Sequence, residues 1–224
     1  MLSIKSLFFK GGVLMYPLLL LSIISFAVII ERAIFFFWLR LKDRGFLERL
    51  NQWLESGDLK KCQEECAQAK GPFHQLIKSW LSLLKQGPKK LEEVVEHLGS
   101  QLLEEMEKRL SVLSVTGQLA PLLGLLGTVI GMIRAFMKVQ ELGGRVNASS
   151  LAGGIWEALL TTAFGLSIAI PSLLFYYYFE SKVDAYERKL HRIGHMLINL
   201  AEEIEDETSS QKENRISSQS YSLD

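Results

Sequence analysis

Cysteine and histidine are scarce in this sequence, and the patterns that soluble catalysis requires are missing. Only two cysteines occur in 224 residues, Cys62 and Cys66, four apart and with no second pair. A structural zinc site takes about four ligands, so this spacing points to reduced, partly buried thiols rather than a metal centre or a disulfide. The four histidines, His74, His97, His191 and His195, have no metal-ligating or catalytic constellation around them. There is no phosphate-binding glycine loop, no nucleophile elbow and no basic nucleic-acid patch. Lys plus Arg and Asp plus Glu are equal at 25 each, so the chain carries no net charge. Enzyme chemistry, a cofactor, a metal and nucleic-acid binding are all left without support.

What the sequence has is apolar length. Hydrophobic residues make up 48% of the chain and are bunched rather than periodic. Three stretches, 12–31, 111–133 and 152–179, can cross the ~30 Å of hydrocarbon that needs roughly 20 helical residues. In lipid the backbone has no water to bond, so such segments are helices. The expected fold is all-α: a polytopic membrane protein with three transmembrane helices, two of them extended into a cytoplasmic helical bundle. The first run is too long for a secretory h-region and lacks a small-residue cleavage site before Glu31-Arg32, so it reads as a retained span. Phe35, Phe36, Phe37 and Trp38 close it as an aromatic belt.

Basic residues orient the chain. Arg32, Arg40, Lys42, Arg44 and Arg49 follow the first span, and Lys182, Arg188, Lys189 and Arg192 follow the third. The other side holds Lys5, Lys10, Arg134, Lys138 and Arg145. The positive-inside rule then puts the N-terminus outside and the C-terminus in the cytoplasm.

The remaining segments follow from these spans. Residues 1–11 mix apolar and basic side chains, as either an interfacial helix or a flexible tail does. Region 32–110 is a cytoplasmic insertion cut into short helices by Gly57-Asp58, Gly71-Pro72 and Gly87-Pro88. From Leu91, the residues Val95, Leu98, Leu102, Met106, Leu110 and Leu113 form one apolar stripe, which predicts a helix entering the second span without a break. Residues 134–151 form a short periplasmic loop. In 180–207, Val183, Tyr186, Leu190, Ile193, Leu197, Leu200 and Ile204 make a near-heptad seam that needs helical neighbours. The acidic run Glu202–Glu207 is a solvated helix end or a cation-attracting vestibule. Residues 208–224 have the composition of a disordered tail.

The spans carry the functional signal. In the second, Gly117, Ala120, Gly124, Gly127 and Gly131 step by three, four, three and four, and in the third Ala158, Thr162, Gly165, Ala169 and Ser172 step by four, three, four and three. Small residues at this spacing let backbones approach where lipid gives no hydrophobic drive. Glu157 is the one charge between Gly154 and Phe179. Insertion scales put such a charge at about 2.5–3.5 kcal/mol near a bilayer centre, so it is expected to face a polar cavity or a partner. On a helical wheel it lies about 100° from the small-residue stripe, beside Thr161, Phe164, Ile168 and Pro171. Glu157 should therefore face something other than the helix that the stripe packs against. No Lys or Arg in its own span can pair with it. Pro121 and Pro171 each remove a backbone hydrogen bond inside a span, bending the helix or freeing a carbonyl for a polar path. Thr128 and Thr162 are the hydroxyls best placed to supplement Glu157, and Thr161 adds another.

Two strings, Ala120-Pro121-Leu122-Leu123-Gly124-Leu125-Leu126-Gly127-Thr128-Val129-Ile130-Gly131-Met132 and Gly154-Ile155-Trp156-Glu157-Ala158-Leu159-Leu160-Thr161-Thr162-Ala163-Phe164-Gly165-Leu166, resemble the ExbB/TolQ/MotA family of proton-channel subunits. Tyr16-Pro17-Leu18-Leu19-Leu20-Leu21-Ser22 with Glu31-Arg32 looks ExbB-like, with TolQ-like members next. The resemblance implies a homopentameric ring in the bacterial inner membrane around single-span helices of an ExbD/TolR-like partner. It further implies that proton flow drives movement passed to TonB in ExbB-like members, or to a TolA-like protein for envelope constriction in TolQ-like ones. By motif position Glu157, Thr128 and Thr162 match the family's polar set, and the channel aspartate would belong to the partner. Ile130 and Tyr177 depart from common family residues, Trp and Asn respectively. A four-span flagellar stator subunit fits less well than this three-span layout. A non-conducting scaffold, with Glu157 structurally paired, is the competing reading from another class.

Overall fold

The structure is a computed structural model that describes residues 12–43, 45–56, 58–68, 72–84, 88–141 and 148–220. Among these the chain forms α1 (Met15–Asp43), α2 (Phe46–Glu55), α3 (Leu59–Gln68), α4 (Pro72–Leu83), α5 (Pro88–Glu107), α6 (Leu110–Glu141) and α7 (Ala148–Ser220), with no strand. Three stretches, Met15–Arg40, Leu110–Glu141 and Ala152–Asp206, are long and apolar enough to cross a membrane. This is a polytopic, all-helical membrane protein. Its residues divide into two units, one of 1–34 with 108–181 and one of 35–107 with 182–224.

In the first unit α6 and α7 pack antiparallel along their small residues. A side chain placed on Gly131 would meet Ala158, one on Gly124 the Thr162 backbone, one on Gly165 the Ala120 carbonyl, and one on Gly117 the Leu173 side chain. Backbones this close leave no room for a methyl group, which is how lipid-embedded helices gain van der Waals contact. Helix α1 joins through Leu18, which packs with buried Ala120 and Ala169, while Phe164 and Ile168 close over them. Buried Ser25 and Ser172 bond at 2.7 Å. Ser172 donates its own proton to the Ile168 carbonyl, so Ser25 is the donor between them. Pro121 and Pro171 lie within α6 and α7, which continue through both.

The second unit is a bundle of α2–α5 with the distal part of α7. Trp80, Phe73, Phe46 and Leu91 are fully enclosed. Gly194 of α7 faces Val95 of α5 and the Trp80 ring, so the helix reaches the core only because no side chain stands there. Val183, Leu190, Ile193 and Leu197 bury the seam of α7, and Tyr186 stacks on Phe73 with ring centroids 5.0 Å apart. On the surface Lys189 bonds Glu48 at 2.7 Å and Arg49 bonds Glu65 at 2.8 Å.

The backbone departs from the sequence expectation at several points. The stripe from Leu91 to Leu113 does not belong to one helix, because Arg109 has φ 67° and separates α5 from α6. A left-handed non-glycine residue costs about 1–2 kcal/mol. Here the Arg109 side chain gains an ion pair with Glu31, which also bonds Arg32 at 3.2 Å. Periodicity registers which face is apolar and is blind to a single backbone torsion. The loop expected over 134–151 is shorter, with α6 running to Glu141 and α7 starting at Ala148. Hydropathy ends a span at its first charge, whereas a helix continues past it. Long basic side chains can reach an interface from there, and Lys138 in the last turn suits the helix dipole. α7 is helical to Ser220, through most of the stretch whose composition predicts a disordered tail. Extending an existing helix is far easier than nucleating one. The interfacial segment expected over 1–11 lies outside the described residues.

Candidate functional site around Glu157

The first helical turns of α7 carry Glu157 toward the segment that precedes α1. Gly12 has φ 73°, a torsion that favours glycine, and a Cβ there would fall on the Glu157 carboxylate, so the two lie in direct contact. Val13 and Leu14 from that segment, Gly127 and Arg134 of α6, and Glu157 and Thr161 of α7 line a cavity of about 190 Å³. A polar space of this size is large enough to admit water. Glu157 is half-buried and its Oε1 accepts a hydrogen bond from Arg134 Nη1 at 3.2 Å.

The structure thus brings together part of the expected polar set and separates the rest. Glu157 and Thr161 share the cavity. Thr161 lies beside Glu157 and is also buried in the seam against Gly127, so it takes part in the packing contact expected of the small-residue stripe alone. Its hydroxyl is used within its own helix, donating to the carbonyls of Glu157 at 3.0 Å and Ala158 at 2.9 Å. Thr162 crosses to α6, donating to the Gly124 carbonyl at 2.9 Å. Thr128 donates to the Leu125 carbonyl at 2.6 Å and lines a different groove of about 540 Å³ with Val129, Met132, Ile133 and Phe136. Among the described residues that groove is formed by α6 alone.

Glu157 was expected to face something other than the helix packed on the small-residue stripe. Its side of α7 does meet α1 through Phe164 and Ile168, but the carboxylate itself is bonded to α6. Arg134 was missed because it follows the last apolar residue of the second span and read as a loop charge. A signal was present, since Arg134 continues the Gly124, Gly127, Gly131 stripe by one further step of three and so lies on the same helix face.

Away from the spans, Cys62, Cys66 and His74 are buried in the second unit. Burial pushes the thiol of Cys62 up to about 11 and that of Cys66 up to about 12, so both are unreactive at neutral pH. His74 stacks on Phe46 at 3.7 Å, and its burial holds its pKa below the usual imidazole value. No group of three or more His, Cys, Asp or Glu placed to hold a metal occurs among the described residues.

A bundle of spans held by glycine contacts, with a half-buried ionisable carboxylate on a cavity between them, defines a polytopic membrane protein with a polar site in its span bundle. Residues 68–192 match the model of the MotA/TolQ/ExbB proton channel family, which is more than half of the chain. The chain belongs to this family. It is 38% identical over 173 residues to the ExbB-like 1 biopolymer transport protein of Synechocystis sp., covering 75% of this chain and 66% of that one. The ExbB-like 3 protein of the same organism is 32% identical over 176 residues, covering 76% and 82% respectively. The biopolymer transport protein ExbB of Salmonella typhimurium is 29% identical over 201 residues, covering 83% and 79%. The match to the first of these relatives stops just short of two thirds of its length.

Proposed function

We propose that the chain is a ring-forming subunit of an inner-membrane proton channel that couples the proton gradient to envelope work. The ring is a homopentamer enclosing an ExbD/TolR-like single-span partner that supplies an Asp, with the N-terminus periplasmic and the C-terminus cytoplasmic. The work is TonB-dependent outer-membrane import, and a TolQ-like constriction motor acting on a TolA-like protein is the neighbouring variant. Glu157 is the proton-handling group, and Thr161, Thr162 and Thr128 supply hydroxyls along the path. One observation carries this reading: Glu157 opens into a cavity within the span bundle, shared with Gly127 and Thr161, and not onto lipid alone. The groove of α6 beside Thr128, lined by no other helix of this chain among the described residues, supports a neighbouring subunit as its cover.

The test is Glu157→Gln, which keeps size and hydrogen bonding but removes the titrating group. Proton flux through the reconstituted complex, at matched subunit and partner levels, should fall to background while the ring still assembles. A second reading has its own support. The bond from Arg134 suits a scaffold in which Glu157 is structurally paired. Under that reading Glu157→Gln lowers stability and leaves the gradient-driven output intact.

A further inference from the structure

We propose that Arg134 is a positioning residue for Glu157, a cationic latch that holds the carboxylate at the cavity and must swing away before a proton or a partner's carboxyl can engage it. The inference rests on the proton-path reading above. Arg134 lies on the α6 face that carries Gly127 and Gly131, and the close approach at Gly131 brings Ala158 of α7 against α6. That approach puts Glu157, the residue just before Ala158, within reach of the guanidinium at 3.2 Å. None of the threonine hydroxyls occupies the carboxylate. Thr128 and Thr161 donate to carbonyls of their own helices and Thr162 to Gly124. Among the described residues, Arg134 is the hydrogen-bond donor that the structure gives the Glu157 side chain.

The geometry also suits release. The Arg134 side chain is 52% exposed and that of Glu157 29%. A long arginine stem can extend along the helix toward the interface while its head stays hydrated, so the bond can break without unpacking α6 from α7. Glu157 is the shorter and less exposed side chain and has the segment at Gly12 against its carboxylate, so we assign the motion to the arginine. Ion pairs with one charge partly in water are weak enough to exchange on binding.

The experiment uses the full chain assembled with its partner in liposomes and dicyclohexylcarbodiimide as probe, reading modification of Glu157 by mass spectrometry. Arg134→Gln should raise the modification rate about two- to fivefold, the release expected of a partly exposed pair, and Arg134→Lys should restore it. Glu31, bonded by Arg32 and Arg109, is the in-chain reference and should not change. Proton leak through the complex should rise by a similar factor in Arg134→Gln and stay near the unaltered level in Arg134→Lys. If Glu157 modification and leak are both unchanged in a helical, assembled Arg134→Gln protein, the latch is overturned and Arg134 only packs. If modification rises but leak does not, gating is likewise overturned. Failure of the proton-path reading is separate: it shows as undiminished flux in Glu157→Gln, whatever Arg134 does to the labelling.

Discussion

Replacing Gly124 by alanine tests whether the α6–α7 contact is as close as described. The added Cβ would stand 2.9 Å from the Thr162 Cα and 3.1 Å from the Thr161 carbonyl oxygen, both backbone atoms that cannot rotate aside. Carbon atoms rest about 3.5–4.0 Å apart, so the helices must part by roughly 0.6–1 Å. The bond from Thr162 to the Gly124 carbonyl, now 2.9 Å, then passes out of hydrogen-bonding range. Overpacking costs about 1–3 kcal/mol and the lost interhelical bond about 0.6–2 kcal/mol. Better helix propensity returns up to about 1 kcal/mol. The net loss is about 1–4 kcal/mol, roughly a 5- to 700-fold fall in the folded-to-unfolded ratio. Gly153→Ala is the control, since nothing lies within 4 Å of a Cβ there and only the propensity gain applies. Both variants should be unfolded by dodecyl sulfate titration in mild detergent, followed by helical circular dichroism. Gly124→Ala as stable as Gly153→Ala would refute the close contact and the packing argument built on it.

Two further predictions concern the second unit. Raising a thiol from 9.0 to about 11, as at Cys62, cuts its thiolate fraction roughly a hundredfold at neutral pH, so maleimide should label the folded protein far more slowly than the denatured one. Equal rates would contradict the burial of Cys62 and Cys66. The same shift ties thiol burial to stability: the contribution is fully present below the unfolded value of 9.0 and drains away as pH rises toward 11 and 12. His74 acts at the other end of the scale. Its folded pKa is below 6.5, so its neutral burial contributes stability above that value, and this is lost as pH falls through it. Thermal unfolding should therefore come at a lower temperature at pH 5.5 than at 7.5, and His74→Phe should shrink the difference. An undiminished difference in that variant would assign the acid sensitivity to other groups.

Much was legible in the sequence because membrane insertion is a property of single segments. Three runs of apolar residues suffice for three helices, since hydrocarbon leaves the backbone no other partner than itself. Glycine and alanine recurring at steps of three and four mark one helix face, whatever that face meets. The cost of a charge in lipid makes Glu157 conspicuous without knowledge of its surroundings. Pair relations were not legible. Arg134 and Glu157 are 23 residues apart, and their bond depends on the antiparallel register of α6 on α7, which each glycine contact helps to set. Which threonine enters the seam is decided by the same register: Thr161 is enclosed while Thr128 lies in the groove on α6. The left-handed torsion at Arg109 is offset by Glu31, a residue far away in the chain. Composition and period report what one segment prefers alone. Register, torsion and ion pairing arise from the sum of contacts between segments, and only the tertiary structure contains that sum.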